Sequence, residues 1–296
     1  MKFIKDRFDI LTYWINEREK IRVAKEAGKP SPWTKDPLFM KWRWCNVNRC
    51  HDRETRWIFK NIIEAHADSP SLWFNLALGR FINWSPTLHK LGYFEKWDPI
   101  RFSEVIALLL RCDAKVYTGA YMIRAGTGDD AKMPKHEYLV KRVFTPLWNL
   151  AAERPHIMTD GMRPTCYAWD KFLSQIFGMG NFMRNQIITD MKYAENILPK
   201  FETEDWDTFC LAGPGTRRGM NRICGFDLTR TWNDEHMNAT LNDLRRRVVE
   251  DVNCPEHFDD LNNLANCLCE FDKYMRLTNG EGEPRSTYRP SQDPLP

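Results

Sequence analysis

The sequence predicts an all-α protein. Apolar residues recur at helical spacing through most of the 296 residues, strand-like alternation is almost absent, and two glycine-tight turns, Gly178-Met179-Gly180 and Gly213-Pro214-Gly215, each open onto a helix-like run. With 43% hydrophobic residues the chain can bury a core of its own, so it is expected to form a single helical domain over 1–296. Within it we expect an N-terminal helix and arm over 1–40, a core over 41–278 with a helix-hairpin-helix at 172–190, and an extended tail over 279–296.

Phe3 to Ala27 reads as an amphipathic helix stopped by Gly28-Lys29-Pro30, and the proline-rich stretch to Pro37 reads as an arm. Arg53 to Ala67 places Trp57, Ile58, Ile62 and Ala65 at helical intervals. Helical runs follow at Ser71 to Phe81, Pro99 to Arg111, Lys135 to Ala152, Thr165 to Phe177, Asn181 to Ala194, Arg217 to Cys224, Ala239 to Val249 and Asp259 to Leu277. The last of these sets Leu261, Leu264, Ala265, Leu268 and Met275 on one apolar stripe, with Asn263, Asn266, Glu270 and Lys273 on a polar face. Lys115 to Arg124 is the one segment with strand character. The tail from Asn279 is too poor in apolar residues to pack as a helix.

No apolar run reaches the length of a membrane span, and the N-terminal Met-Lys-Phe-Ile-Lys-Asp-Arg lacks a signal-peptide core, so no membrane role and a cytoplasmic location are expected. Nine cysteines without a CxxC pair read as small buried hydrophobes, and no metal is expected from their spacing. The net charge of +3 is small, but it is unevenly spread. Arg43, Arg49, Arg53, Arg56 and Lys60 form one basic cluster and Arg217, Arg218, Arg222 and Arg230 another, while acidic residues gather at Glu202 to Asp207 and Glu250 to Asp260.

The segment from Phe172 to Asp190 has the pattern of a helix-hairpin-helix. Gly178 and Gly180 let backbone N–H groups meet a DNA phosphate without a Cβ in the way, and the helix opening at Asn181, with Arg184 one turn on, adds a favourable dipole. The second turn repeats that logic with Gly213 and Gly215 and adds Arg217 and Arg218. Arg49, Arg53 and Arg56 are spaced four and three apart, so on a helix they share one face; they suit a forked grip on a phosphate leaving group, although spacing alone favours a solvated face paired with Asp52 and Glu54. Glu270 and Lys273 have the spacing of an ordinary surface ion pair, and Asp190 that of a cap or a partner for Lys192. Most tryptophans, including Trp57, Trp73 and Trp148, read as core; Trp33 and Trp44 are the candidates for stacking on an extruded base.

Five blocks, taken in order, resemble a known family. They are Pro32-Trp-Thr-Lys-Asp36, Arg43 to Trp57, Gly178-Met-Gly-Asn-Phe with Gln186 and Asp190, Gly213-Pro-Gly-Thr-Arg-Arg-Gly219, and Leu268-Cys-Glu-Phe-Asp-Lys-Tyr274. From about Lys29 to Pro290 the chain is similar to the phage alpha-glutamyl/putrescinyl thymine pyrophosphorylases, or amino acid:DNA transferases, which modify DNA bases. The resemblance implies a fold like that of the helix-hairpin-helix DNA glycosylases. It also implies a reaction in which an amine or amino acid, glycine for example, displaces phosphate or pyrophosphate from activated 5-hydroxymethyluracil in double-stranded DNA.

By that resemblance the catalytic candidates are Glu270 as general base, Asp190 as the rival carboxylate, Lys273 as a phosphate or carboxylate contact, and Asp52. The phosphate contacts would be Arg49, Arg53, Arg56, Gly213, Gly215, Arg217 and Arg218, and the DNA contacts Gly178, Gly180, Asn181 and Arg184. No cofactor is implied, because the carbon is already activated. No GxxxxGK[ST] loop occurs in the sequence, so a 5-hydroxymethyluracil DNA kinase is the expected partner, in the cytoplasm of a phage-infected host. The alternatives are a DNA glycosylase or lyase, which the Gly-Pro-Gly-Thr-Arg-Arg loop in place of a catalytic carboxylate argues against, and a non-enzymatic DNA-binding accessory protein.

Overall fold

The computed structural model of the protein describes residues 2–118, 128–153, 165–284 and 287–288. Their regular structure is helical, and among the described residues β pairing is confined to one isolated antiparallel bridge between Trp42 and Thr287. In chain order the helices are α1 (Lys5–Glu26), α2 (Pro37–Lys41), α3 (Arg53–Ile58), α4 (Leu72–Ile82), α5 (Ser85–Leu91), α6 (Pro99–Arg111), α7 (Lys135–Tyr138), α8 (Thr145–Glu153), α9 (Cys166–Leu173), α10 (Asn181–Met191), α11 (Pro214–Cys224), α12 (Asp234–Asp251) and α13 (Leu261–Thr278). Wide π turns at Phe59–Ile63 and Leu139–Phe144 continue α3 and join α7 to α8, so the runs expected at 53–67 and 135–152 are helical along their length. Most of the segment considered for a strand, from residue 119 on, lies outside the described residues. No described helix is long and apolar enough to cross a membrane.

The chain divides into two compact units, Met1–Arg53 with Asp207–Pro296, and Glu54–Trp206. These boundaries differ from those of the expected arm, core and tail because α1 is part of a core. Its Leu11, Trp14 and Ile15 are fully buried in one apolar cluster with residues of α11, α12 and α13. The arm is anchored too: the Asp36 carboxylate accepts the α2 amide of Leu38 at 2.8 Å and the hydroxyls of Tyr13 at 3.0 Å and Tyr274 at 2.8 Å.

Within this first unit α11 and α13 approach closely. A Cβ on Gly215 would stand 2.3 Å from Cys269 Sγ, and one on Gly219 would stand 2.2 Å from the Leu268 carbonyl oxygen. The Gly-Pro-Gly segment is therefore not a loop. Gly213 is the buried N-cap and Pro214 the first helical residue, the position where its missing N–H costs nothing.

The second unit is built around α4, in which every residue from Leu72 to Ile82 is buried. A helix apolar on nearly all sides belongs inside a protein, and its Phe74 and Phe81 meet the ring of Phe144, which also packs on Phe102. Asn75 and Arg80 are its polar residues, both buried. The Arg80 guanidinium forks onto both oxygens of the fully buried Asp190 on α10 and donates to Thr55 Oγ1 at 2.9 Å.

Candidate functional site

Three segments of the first unit converge on one polar cluster: α1, the connection from Arg43 to Asp52, and α13. That connection is held largely by side chains. Asp52 Oδ1 accepts the Asn46 backbone N–H at 2.9 Å and its Nδ2 at 3.1 Å, and Asn266 Nδ2 donates to the Asn46 carbonyl at 3.1 Å. Arg18, from α1, donates Nε to the Cys45 carbonyl at 2.9 Å and Nη2 to Asn46 Oδ1 at 2.5 Å. Its Nη1 is buried and has no hydrogen-bond partner among the described residues.

Glu270 lies in the same cluster and is buried. Its Oε2 accepts Lys273 Nζ at 2.5 Å and the Cys45 backbone N–H at 3.3 Å, while Oε1 carries no hydrogen bond among the described residues. Lys273 also donates to the Arg43 carbonyl at 2.8 Å and sits 4.3 Å from the centre of the Trp44 ring. The pair is thus no surface ornament: removal from water makes its orientation matter.

Burial shifts the groups around it. Desolvation pulls the Arg18 guanidinium down from its ordinary value, opposed by the charges of Asp52, Glu270 and Glu19. Burial pushes the Cys45 thiol well up, and the carboxylates of Glu270 and Asp52 add to that. Cys45 therefore stays a thiol at neutral pH and is a poor nucleophile.

The other expected site residues fall in different places. Arg49, Arg53 and Arg56 do not share one helical face, because Asp52 is extended at ψ 139° and breaks the run between the 3-10 turn Arg49–His51 and α3. Arg49 and Arg53 belong to the first unit and Arg56 to the second. Gly215, expected against phosphate, is committed to the contact with Cys269, and the buried Gly213 caps α11. Arg217 donates to the carbonyls of Ala212 at 3.0 Å and Trp232 at 2.6 Å and pairs with Asp234, which fixes the α11–α12 connection. Arg218 is the more exposed of the two and pairs with Asp272 at 3.2 Å.

In the second unit, α9, the turn and α10 do form a helical hairpin. Gly178 has φ +80° and Gly180, at φ −70°, caps α10 with open space where a Cβ would stand. Arg184 works inside this hairpin, with bonds to Asp170 at 2.5 Å, the Met179 carbonyl at 2.8 Å and Asn181 Oδ1 at 3.0 Å. Asp190 is corrected most sharply: it pairs with Arg80, not Lys192, and full burial removes it from any substrate. Trp44 is likewise unavailable for stacking on a base, since it is buried against Trp14, Phe39 and Tyr274 with Nε1 bonded to the Leu38 carbonyl.

Arg18 escaped the sequence reading. It sits in an unbroken run of charged residues, Glu17 to Lys20, where nothing local separates a buried guanidinium from a solvated one. The signal that finds it is three-dimensional.

The family model described as "5-hmdU DNA kinase, helical domain" matches residues 5–283. A curated relative, the 5-hmdU DNA kinase of Bacillus phage SP10, is 24% identical over 297 residues, which cover 89% of this chain and 44% of the relative. The chain thus spans less than half the length of the curated relative it matches. No solved structure matches it.

Proposed function

The chain belongs to the family of the 5-hmdU DNA kinase helical domain, and on that premise we propose that it acts in thymidine hypermodification of phage DNA, transferring an amino acid or amine onto phosphorylated 5-hydroxymethyl-deoxyuridine. The observation that carries this reading is the buried Glu270 carboxylate, clamped at Oε2 by Lys273 and the Cys45 amide with Oε1 left over, in the same cluster as the unpartnered Nη1 of Arg18. A base and an anion-seeking donor in one desolvated cluster are what an attacking ammonium and a phosphate or carboxylate require.

In the proposed step the amine loses one proton to Glu270 Oε1, its nitrogen lone pair bonds to the 5-methylene carbon, and the carbon–oxygen bond to the leaving group breaks. The electron pair departs on phosphate or pyrophosphate, whose charge Arg18 and Lys273 offset. The α9–α10 hairpin, with its open N-terminus at Gly180, is our candidate for contact with the DNA backbone. The kinase that supplies the phosphorylated base is the expected partner.

Glu270→Gln tests the reading. It keeps the shape but removes the proton acceptor, so nucleosides analysed by mass spectrometry after incubation with phosphorylated 5-hydroxymethyluracil DNA and an amino-acid pool should show product formation slowed roughly 10²–10⁴-fold, with DNA affinity intact. Raising the pH should restore part of the rate, because amines with pKa near about 9–10 shed the proton unaided. A fully active Glu270→Gln protein would move the base elsewhere.

A second reading is favoured by the match to part of a kinase: the chain presents 5-hydroxymethyluracil DNA to a kinase and performs no chemistry itself. It predicts no amine product under any condition and a lower KM for DNA when the chain is added to the kinase.

A further inference from the structure

Next to Arg18 on α1, and on the first unit's own elements, a second constellation stands apart from the chemistry proposed above. Glu19 from α1, His51 from the turn Arg49–His51 and His257 from the turn Pro255–Phe258 bring one ligand atom each to within 4.8 Å of one another. Glu19 Oε1 and His257 Nε2 are 3.0 Å apart, and the two imidazole rings stand 5.3 Å centre to centre at 77°. We propose that these three residues bind a divalent first-row transition metal ion, with zinc as the representative ion.

The donor set suits such an ion. Two imidazoles and one carboxylate are borderline ligands, and three protein ligands leave a position for water. With metal–ligand bonds of about 2.0–2.2 Å, tetrahedral donors stand roughly 3.4 Å apart, which lies between the spacing of the closest pair here and the outer limit of the set. Ring rotation closes the difference.

The surroundings are built for it. The buried Asn263 of α13 ties the two histidine turns together, accepting the Arg49 backbone N–H at 3.1 Å and donating to the His257 carbonyl at 2.7 Å. A metal ion would take the place of the proton between His257 Nε2 and Glu19 Oε1, and Nδ1 on the other side of the ring lies 3.5 Å from Asn48 Nδ2. Arg22 pairs with Glu19 and Glu26, which holds the Glu19 carboxylate in place beside the two imidazoles.

The expectation of no metal drew on cysteine spacing alone. This set is made of residues 32 and 206 positions apart in the chain, a separation that no short motif reveals. Bound there, the ion would pin α1 to both turns and so steady Arg18 and the Asn46 connection beside it.

The test uses the full chain, stripped with a chelator, and needs no DNA, so its failure leaves the transfer reading standing. Titration with zinc chloride, followed by calorimetry and elemental analysis, should give one equivalent bound. His51→Gln and His257→Gln should each weaken binding at least tenfold while circular dichroism stays unchanged. Cobalt(II) bound to the unaltered protein should show ligand-field bands without thiolate charge transfer, which reports the ligands even if a variant fails to fold. Absence of stoichiometric binding, a thiolate signature, or undiminished binding in the folded double-histidine variant would overturn the proposal.

Discussion

The tightest contact in the first unit is where Gly219 of α11 meets α13, and Gly219→Ala puts a number on it. The added Cβ would lie 2.2 Å from the Leu268 carbonyl oxygen, 2.9 Å from the carbonyl carbon and 3.1 Å from Leu268 Cβ. Two of these three atoms are backbone, so no rotamer relieves them; α11 must move off α13 by about an ångström, loosening the fully buried Met220, Ile223, Leu264 and Leu268. Overpacking of this kind costs about 1–3 kcal/mol and sometimes more, and the better helix propensity of alanine returns up to about 1 kcal/mol. We expect a net loss near about 2 kcal/mol, read as a lower urea midpoint and a Tm drop of roughly 4–8 °C. Gly215→Ala is the comparison. Its obstacle is chiefly the Cys269 sulfur, so Cys269→Ala should rescue it in a double-mutant cycle but should not rescue Gly219→Ala. If Gly219→Ala keeps the wild-type midpoint and instead loses affinity for phosphorylated DNA, the glycines serve the ligand and the packing argument is wrong.

Asp190→Asn should cost about 3–5 kcal/mol in chemical denaturation by leaving the buried Arg80 charge uncompensated, whereas a catalytic role would show lost turnover in a stable protein. Arg222 holds the Glu281 carboxyl down at about 2 against an ordinary 4.5, so this pair stabilises the fold above pH 4.5 and the contribution is lost as pH falls from 4.5 towards 2; Glu281→Gln should flatten the acid-unfolding curve across that window. Arg217→Ala should lower stability with little change in selectivity, because its guanidinium is spent on Ala212, Trp232 and Asp234. Arg218→Ala should instead weaken filter binding of phosphorylated over unmodified DNA, by about 1.5–3 kcal/mol if it contacts the extra phosphate; equal losses on both DNAs would make it a backbone contact.

Periodicity found most of the helices because their packing is amphipathic and local: the stripe Leu261, Leu264, Ala265, Leu268 is buried in α13 as its spacing implies. What it missed has one physical cause. α5 is short and carries Pro86 in its first turn, α2 lies in the proline-rich stretch, and α11 begins at a Gly-Pro-Gly that turn chemistry alone reads as loop. In α11 the glycines answer to a neighbouring helix, and a neighbour distant in sequence leaves no local mark. The same holds for the site. The i, i+3 spacing of Glu270 and Lys273 correctly pairs them, yet it cannot say that the pair is buried or that Cys45 closes it from the other side. The three arginines from 49 to 56 fail for a converse reason: helical spacing was counted across Asp52, where the helix does not exist.

The charged run from Glu17 to Lys20 in α1 shows how one surface of a helix can serve two sites. Arg18 reaches the Cys45 carbonyl and Asn46, while Glu19, next along the chain, reaches His257. Successive residues on a helix diverge by about 100°, so one turn faces both the Arg43 to Asp52 connection and the Pro255–Phe258 turn without bending. Asn263 and Asn266, three apart on α13, answer from the opposite side, the first holding the backbone of Arg49 and His257 and the second that of Asn46. The connection therefore hangs between two helices by side-chain amides and a guanidinium, with the 3-10 turn Arg49–His51 its one short piece of helix. Its geometry, and with it the position of the Cys45 amide on Glu270, depends on α1 staying in register with α13. That dependence explains why the polar face of α1 is committed inward at Arg18 and Glu19 while Lys20, on the same turn, remains exposed.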